Sequence, residues 1–346
     1  MQHSAQVTRR WPISQQATVV LLLAGMAQAV SLAWPFEGTF KGEAQGWLQC
    51  VSLAVLAYNI DRSTSGKQAF IKAWVYSLAW LACSIWWLFI SMHRYGGLPA
   101  LVAGWAVGWL AAGLALFYAA AAGVYHAICK TGVGVLPRAS VFAAVWVLAE
   151  MVRGTLWTGF PWGAVGYAHV DSLFQHWAPW VGVYGLCAVS AFMAMAVVAE
   201  RKDNRPTTRA TQLVVVAIVA VLGYTWLTSP SQSVNEAALS KKPLSVTLLQ
   251  GNIAQDLKFG EGINLALRDY RDALLSSASD LTVTPETAIP LIQQQMPERY
   301  WSQLETHFSK SEKAALIGLP LAQRSEQGQL QYSNSAIALM PQTTPA

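Results

Sequence analysis

What most constrains this chain is the way charged residues bracket a series of long uncharged stretches. These run Trp11 to Phe36, Ala44 to Ile60, Ala73 to Met92, Tyr95 to Cys129, Ser172 to Ala199 and Ala210 to Asn235. A hydrocarbon core about 30 Å thick needs roughly 20 apolar residues per helix, so each stretch is a candidate span, Ala44 to Ile60 being marginal. Another span is expected between Arg138 and Trp157, interrupted near one end by Glu150 and Arg153. Three apart on a helix, those two side chains can pair. Two readings stay open for them: a structural pair facing the bundle interior, or a pair that shapes a polar site, because ionisable groups at this depth are costly. The expected fold is therefore a multi-pass α-helical bundle of about seven transmembrane helices.

Only 12% of residues are charged, against about 25% in an ordinary soluble protein, too few to cover a water-exposed surface. The net charge of +5 is carried by short basic clusters between apolar stretches. That is a topology signal and not the one-sided basic face that nucleic acid requires, so no nucleic-acid partner is expected. Between spans, one side collects eleven Lys and Arg residues (Arg9, Arg10, Arg62, Lys67, Lys72, Lys130, Arg138, Arg201, Lys202, Arg205 and Arg209) and the other three (Lys41, Arg94 and Arg153). This bias puts the N-terminus in the cytoplasm and, with an odd number of spans, everything after residue 235 outside. Fifteen of the sixteen tryptophans precede residue 230, as interfacial anchors would. The first 33 residues resemble a signal peptide, but Trp11 to Phe36 is long enough to span and is expected to stay as an uncleaved first helix.

Composition changes after Ser229 and Pro230. Residues 1–228 form the expected bundle, 229–243 a polar linker, and 244–346 an α/β domain. Leu244 to Leu249 predicts a buried strand, Ile263 to Ala278 an amphipathic helix with Ile263, Leu267, Tyr270 and Leu274 on one face, and Leu281 to Thr284 a second strand. A second helix is predicted from near Pro297, carrying Trp301, Leu304 and Phe308. Ala315 to Gly318 and Ala336 to Met340 are further strand candidates.

Chemistry is concentrated in two polar turns. Thr284-Pro285-Glu286-Thr287 follows a strand, so Glu286 would project from the sheet edge where α/β domains place their sites. A carboxylate there can serve as general base, although a Pro-Glu turn by itself is commonly a solvated corner. Gln250-Gly251-Asn252-Ile253 follows the first strand in the same way, and Gln250 and Asn252 could face the same cleft; alternatively Gly251 and Asn252 only supply positive φ. Phe160 and Trp162 stand at a helix end, as lipid guides or as ordinary interfacial anchors. The glycine turn beside His93 explains that residue without a catalytic role. Cys50, Cys83, Cys129 and Cys187 lie in apolar stretches with no CxxC pair and no metal-ligand spacing, so neither metal nor cofactor is expected.

Several stretches, in order, resemble one family: Ile85-Trp86 through Ser91-Met-His-Arg-Tyr-Gly-Gly-Leu-Pro99, Trp146-Val-Leu-Ala-Glu150 with Arg153-Gly154, and Thr158-Gly-Phe-Pro-Trp162 with Gly166-Tyr167. Gly182-Val-Tyr-Gly185, Leu249-Gln-Gly-Asn-Ile253 and Pro285-Glu-Thr-Ala-Ile-Pro290 follow. Together they resemble the apolipoprotein N-acyltransferases of bacterial inner membranes. The resemblance implies a periplasmic nitrilase-like (carbon-nitrogen hydrolase) domain on the bundle, of which 244–346 would be the N-terminal part. It also implies acyl transfer from a phospholipid to the N-terminal amine of a diacylglyceryl-cysteine apolipoprotein. The implied catalytic set is Glu, Lys and Cys, with the Glu at Glu286: a thiolate forms a thioester, a carboxylate takes the proton and an ammonium stabilises the oxyanion. The family's Lys and Cys lie downstream of the last residue here, and none of the four cysteines replaces the nucleophile, so the chain as given is expected to be unable to form the thioester. Lys258, Lys310 and Lys313 read as surface charge. Phe259 stands where the family commonly has tryptophan and could pack on an acyl chain. Tyr332-Ser333-Asn334-Ser335 resembles the family's Asn turn, making Asn334 a polar-contact candidate.

Three alternatives remain from sequence: a shortened, catalytically dead protein that binds lipid or lipoprotein; a transporter, although no repeated halves are visible; and an amidase on the same fold. The membrane bundle favours a lipid substrate.

Overall fold

The structure is a computed structural model that describes residues 13–129, 133–203, 243–254, 257–258, 260–325 and 327–342. The expected span Ala210 to Asn235 and most of the linker lie outside the described residues. Two compact units fall within Met1–Ser231 and Gln232–Ala346.

The first unit is helical: α1 (Gln15–Val30), α2 (Gly46–Asp61), α3 (Gly66–Ser84), α4 (Trp87–Ile90), α5 (Ala100–Ile128), α6 (Val135–Thr155) and α7 (Ala178–Asp203). Hydroxyls start two of them, the Ser14 Oγ accepting from Ala17 N and the Ser65 Oγ from Gln68 N, which satisfies donors that the first turn leaves free. Ala100–Ile128, Val135–Thr155 and Leu173–Ala199 are long and apolar enough to cross a membrane. A fourth candidate is α3 joined to Trp87–Tyr95, bent by 49° at the break. Thus Ala73 to Met92 is not one straight helix as expected. Its second piece ends in a π-helical turn, Ser91–Tyr95, where the His93 Nδ1 bonds the Leu98 carbonyl oxygen at 2.7 Å. At 16 residues, α1 is shorter than the expected Trp11 to Phe36, because residues 31–33 turn away after it, whereas α2 nearly fills Ala44 to Ile60. Likewise Ser172 to Ala199 is broken, its first residues forming a 3-10 turn and Gly182 taking φ 62° within α7.

The bundle core is aromatic. Trp80, Tyr118 and Phe142 surround Trp146, with ring centroids 6.3, 4.7 and 5.8 Å from it. Trp80 and Trp146 are buried, so these two indoles pack helix on helix and do not anchor an interface. Close helix approach also needs small residues: a Cβ on Gly25 of α1 would come within 2.2 Å of the Tyr76 carbonyl oxygen on α3. Polar ties cross the core as well. The Tyr125 hydroxyl donates to Asp61 at 2.9 Å, and Asp61 lies 3.7 Å from Arg138.

The second unit is a four-stranded sheet of β1 (Val246–Leu248), β2 (Leu281–Val283), β3 (Ala314–Arg324) and β4 (Leu330–Leu339), in that order. The first three strands are parallel and β4 pairs antiparallel to β3. Helix α8 (Gly262–Ser276) connects β1 to β2, and α9 (Tyr300–Ser309) connects β2 to β3. Leu267, Leu274, Tyr300, Leu304 and Phe308 from the helices pack on Ile317 and Leu319 of the sheet, the burial that makes the amphipathic pattern stable. Two expectations need correction. The first strand is not buried: Val246 and Leu248 are exposed while Thr247 turns inward, because α8 and α9 cover one sheet face. The second helix begins at Tyr300 and not at Pro297, since Arg299 takes a left-handed φ of 66° just before it.

Candidate functional site

Because β1 and β2 are parallel neighbours in register Leu248↔Val283, the turns that follow them leave the sheet at the same edge. That edge carries Gln250 and Asn252 on one turn and Glu286 on the other. All three are exposed.

The Glu286 turn is held from below. Thr284 N donates to the Leu316 carbonyl oxygen at 2.9 Å, Gly318 N donates to the Thr284 hydroxyl at 3.0 Å, and Ile289 N donates to the Gly318 carbonyl oxygen at 3.2 Å. A Cβ on Gly318 would meet the Pro285 carbonyl oxygen at 2.2 Å and the Glu286 Cα at 3.1 Å. Glycine in the interior of β3 therefore lets the turn sit against the strand. Thr287 takes a left-handed φ of 49°, which turns the chain back toward the sheet. Above the turn, the Asn334 amide nitrogen donates to the Glu286 carboxylate, and the Thr287 hydroxyl donates to the Asn334 Oδ1 at 3.4 Å. The Lys258 ammonium donates to the Glu286 backbone oxygen at 3.4 Å, so it belongs to the neighbourhood of the turn as well as to the surface.

Asn334 is not in a turn as expected. It lies within β4 opposite Pro320 of β3, because continued pairing with β3 satisfies the backbone on either side of it. The Gln250-Gly251-Asn252 turn is held by the Gly251 N–H donating to the Tyr270 hydroxyl at 3.1 Å, and Asn252 takes φ 47°, a conformation asparagine tolerates. Phe259 lies outside the described residues. Sequence reasoning missed Gly318, Thr284 and Tyr270; a glycine inside a strand run was the available signal for the first.

In the bundle, Phe160 and Trp162 occupy the turn after α6, and the Glu150–Arg153 pair holds that turn. Both side chains are buried, with Arg153 Nη2 2.8 Å from the Glu150 carboxylate. Arg153 donates further to the Tyr118 hydroxyl at 2.8 Å, to the Trp162 carbonyl oxygen at 2.9 Å and to the Phe160 carbonyl oxygen. Glu150 also accepts from Val165 N at 3.4 Å. A buried charge of either sign is tolerable only when satisfied in this way. The pair faces the bundle interior, and its surplus donors fix a loop. Phe160 is half-buried and Trp162 exposed, their rings 5.0 Å apart, with Trp87 6.4 Å beyond.

Among the described residues, no group of three or more His, Cys, Asp or Glu stands where it could hold a metal ion.

Comparison with known proteins finds similarity to one family. Residues 28–196 match the family model described as the apolipoprotein N-acyltransferase N-terminal domain. The chain is 43% identical over 334 residues to the apolipoprotein N-acyltransferase of Verminephrobacter eiseniae, covering 93% of this chain and 60% of that protein. It is 37% identical over 299 residues to that of Ralstonia nicotianae (85% and 54%), and 30% identical over 336 residues to that of Azotobacter vinelandii (94% and 60%). The chain thus spans between 54% and 60% of the length of these relatives. Over residues 28–196 this chain matches the apolipoprotein N-acyltransferase N-terminal domain, and over most of its length it is similar to proteins of that name.

Proposed function

We propose that this protein transfers a fatty acyl chain from a membrane phospholipid to the N-terminal amine of a diacylated apolipoprotein, with Glu286 as the general base. The observation that carries the reading is the Glu286 carboxylate, exposed at the C-terminal edge of a parallel sheet, on a turn braced by Gly318 and touched by the Asn334 amide. In the family's thioester chemistry, a cysteine sulfur forms a C–S bond to the acyl carbon while the ester C–O bond breaks. The lysophospholipid leaves with the proton that the glutamate took from the thiol. The incoming amine then forms the C–N bond, the C–S bond breaks, and the glutamate returns the amine proton to sulfur.

Gln250, Asn252, Asn334 and Phe259 contact substrate in this reading, and Phe160 and Trp162 meet the acyl donor at the membrane. The topology is seven spans with a cytoplasmic N-terminus, following the bias of eleven basic residues against three. The α/β unit is nitrilase-like and periplasmic in a bacterial inner membrane. The parallel strands with their connecting helices and the similarity to apolipoprotein N-acyltransferases over most of the chain support this reading.

The test is transfer itself. The full-length gene product, purified into phospholipid nanodiscs, should convert a synthetic diacylated lipopeptide to its N-acylated form, read as a mass increase of one acyl chain. A sealed-cell experiment settles the topology: Glu286→Cys should react with a membrane-impermeant maleimide added from the periplasmic side. No transfer by the intact protein, or labelling from the cytoplasmic side alone, would reject the reading.

A further inference from the structure

We infer that Arg153 is a positioning residue for the acyl donor: its guanidinium fixes the loop after α6 so that Trp162, Phe160 and Trp87 form a rim that receives a phospholipid acyl chain. This rests on the proposed phospholipid specificity and adds to it the place where the chain first lodges.

Three observations lead here. First, Arg153 is 2% exposed, yet two of its donors go to main-chain carbonyl oxygens of the loop, those of Phe160 and Trp162. The loop answers with Phe160 N donating to the Arg153 carbonyl oxygen at 2.8 Å. A planar fork with five donors can hold an ion pair, a phenol and two carbonyls together, which an ammonium cannot. Second, the loop so held is shaped to expose aromatic surface. Trp157 is 91% exposed in a left-handed conformation with φ 57°, and Trp162 is 55% exposed. A bulky residue in that region of conformational space is strained and persists only when its surroundings impose it. Third, the rim stands at the end of one candidate span and at the break of another. It joins the C-terminal end of α6 to α4, the piece beyond the 49° bend that follows α3. Gly163, with φ 74°, seats the turn 3.5 Å from Ser84 at that bend, measured from the position its Cβ would take. Indole rings at the end of a span meet the upper part of the lipid chains, where the ester linkages lie. The occupant that fits is therefore an acyl chain entering from the bilayer.

The experiment uses the full-length protein in nanodiscs that contain a trace of phospholipid bearing a diazirine on its acyl chain near the ester. Labelling of the peptide around residues 157–162 is measured against labelling around the exposed Trp105 and Trp109 of α5, a lipid-facing reference. In Arg153→Lys, which keeps the charge for Glu150 but loses the fork, that ratio should fall about fivefold or more, and KM for phospholipid should rise about tenfold with kcat held within about twofold. Tyr118→Phe, a near-isosteric change that frees only one of the contacts orienting the guanidinium, keeps the test decisive if Arg153→Lys does not fold, and should lower the ratio in smaller measure. A ratio unchanged in the variants that fold, or a fall in kcat at constant KM, overturns the inference. A parent protein that is labelled at the rim but transfers no acyl chain would reject the proposed function and leave this assignment standing.

Discussion

The side-chain amide of Asn334, on β4, donates to the carboxylate of Glu286 in the turn after β2. The two residues are 48 apart in the chain and meet because β3 lies between their strands, and a single glycine, Gly318, brings the Glu286 turn close to it.

Asn334 orients the carboxylate without taking a proton. Asn334→Ala should lower the rate of proposed acyl transfer by about tenfold, the value of one charge-assisted hydrogen bond. Asn334→Asp should be worse, because it sets a second carboxylate against Glu286. Steady-state kinetics of the two variants at equal membrane levels check the order; equal rates in parent and Asn334→Asp would contradict it.

Gly318 supports the same turn from the sheet side. Gly318→Ala places a methyl 2.2 Å from the Pro285 carbonyl oxygen, so the turn must move. The expected cost is about 1–3 kcal/mol of stability in the α/β unit, as for other overpacked sites. Activity should fall although no reacting group has changed. Thermal unfolding together with the transfer assay reads both effects.

Glu150 neutralises a guanidinium inside the bundle. Glu150→Ala leaves Arg153 buried without its carboxylate, at a cost of about 3–5 kcal/mol. Glu150→Gln, which keeps an acceptor for Arg153 and Val165 N, should cost less. The fraction folded after graded heating in detergent, followed by size-exclusion chromatography, ranks the two variants.

His169 gives the bundle a pH dependence. Its Nε2 lies 3.0 Å from the Gln49 Oε1 and its Nδ1 3.1 Å from the Ser172 hydroxyl. Burial pushes the imidazole down from its ordinary 6.5 to about 4. With the folded value depressed, the stability held in the neutral ring is fully present above pH 6.5 and is lost as pH falls from there toward 4. The melting temperature of the parent should drop across that window, and His169→Gln should flatten the profile. A parallel profile in the variant would contradict the assignment.

Much of the fold was legible because its driving forces are local. The uncharged stretch Tyr95 to Cys129 became Ala100–Ile128, and the amphipathic stretch Ile263 to Ala278 became Gly262–Ser276. What escaped the sequence was set by partners far away in the chain. Nothing near Val246 and Leu248 says that only the Thr247 face of β1 is covered, since the covering helices come later. Asn334 read as a turn residue because Tyr332-Ser333-Asn334-Ser335 resembles the family's Asn turn; its strand pairing depends on β3. The Glu150–Arg153 spacing announced a pair, but the Phe160 and Trp162 carbonyl oxygens that complete it are set by a loop geometry that periodicity does not encode. Glu286 itself was visible, as a carboxylate just after an apolar run. Asn334 was named as a polar contact, but the bracing by Thr284 and Gly318 was missed, although a glycine inside a strand run offered a signal for the latter.

The most direct test of the central claim is the rate at which full-length Glu286→Gln, present in membranes at the parent's level, acylates a diacylated lipoprotein. The substitution keeps the shape of the side chain and its contact with Asn334 while removing the ability to accept a proton. The expected result is a loss of about 10²-fold or more, the contribution of a general base. A variant as fast as the parent would contradict the role given to Glu286.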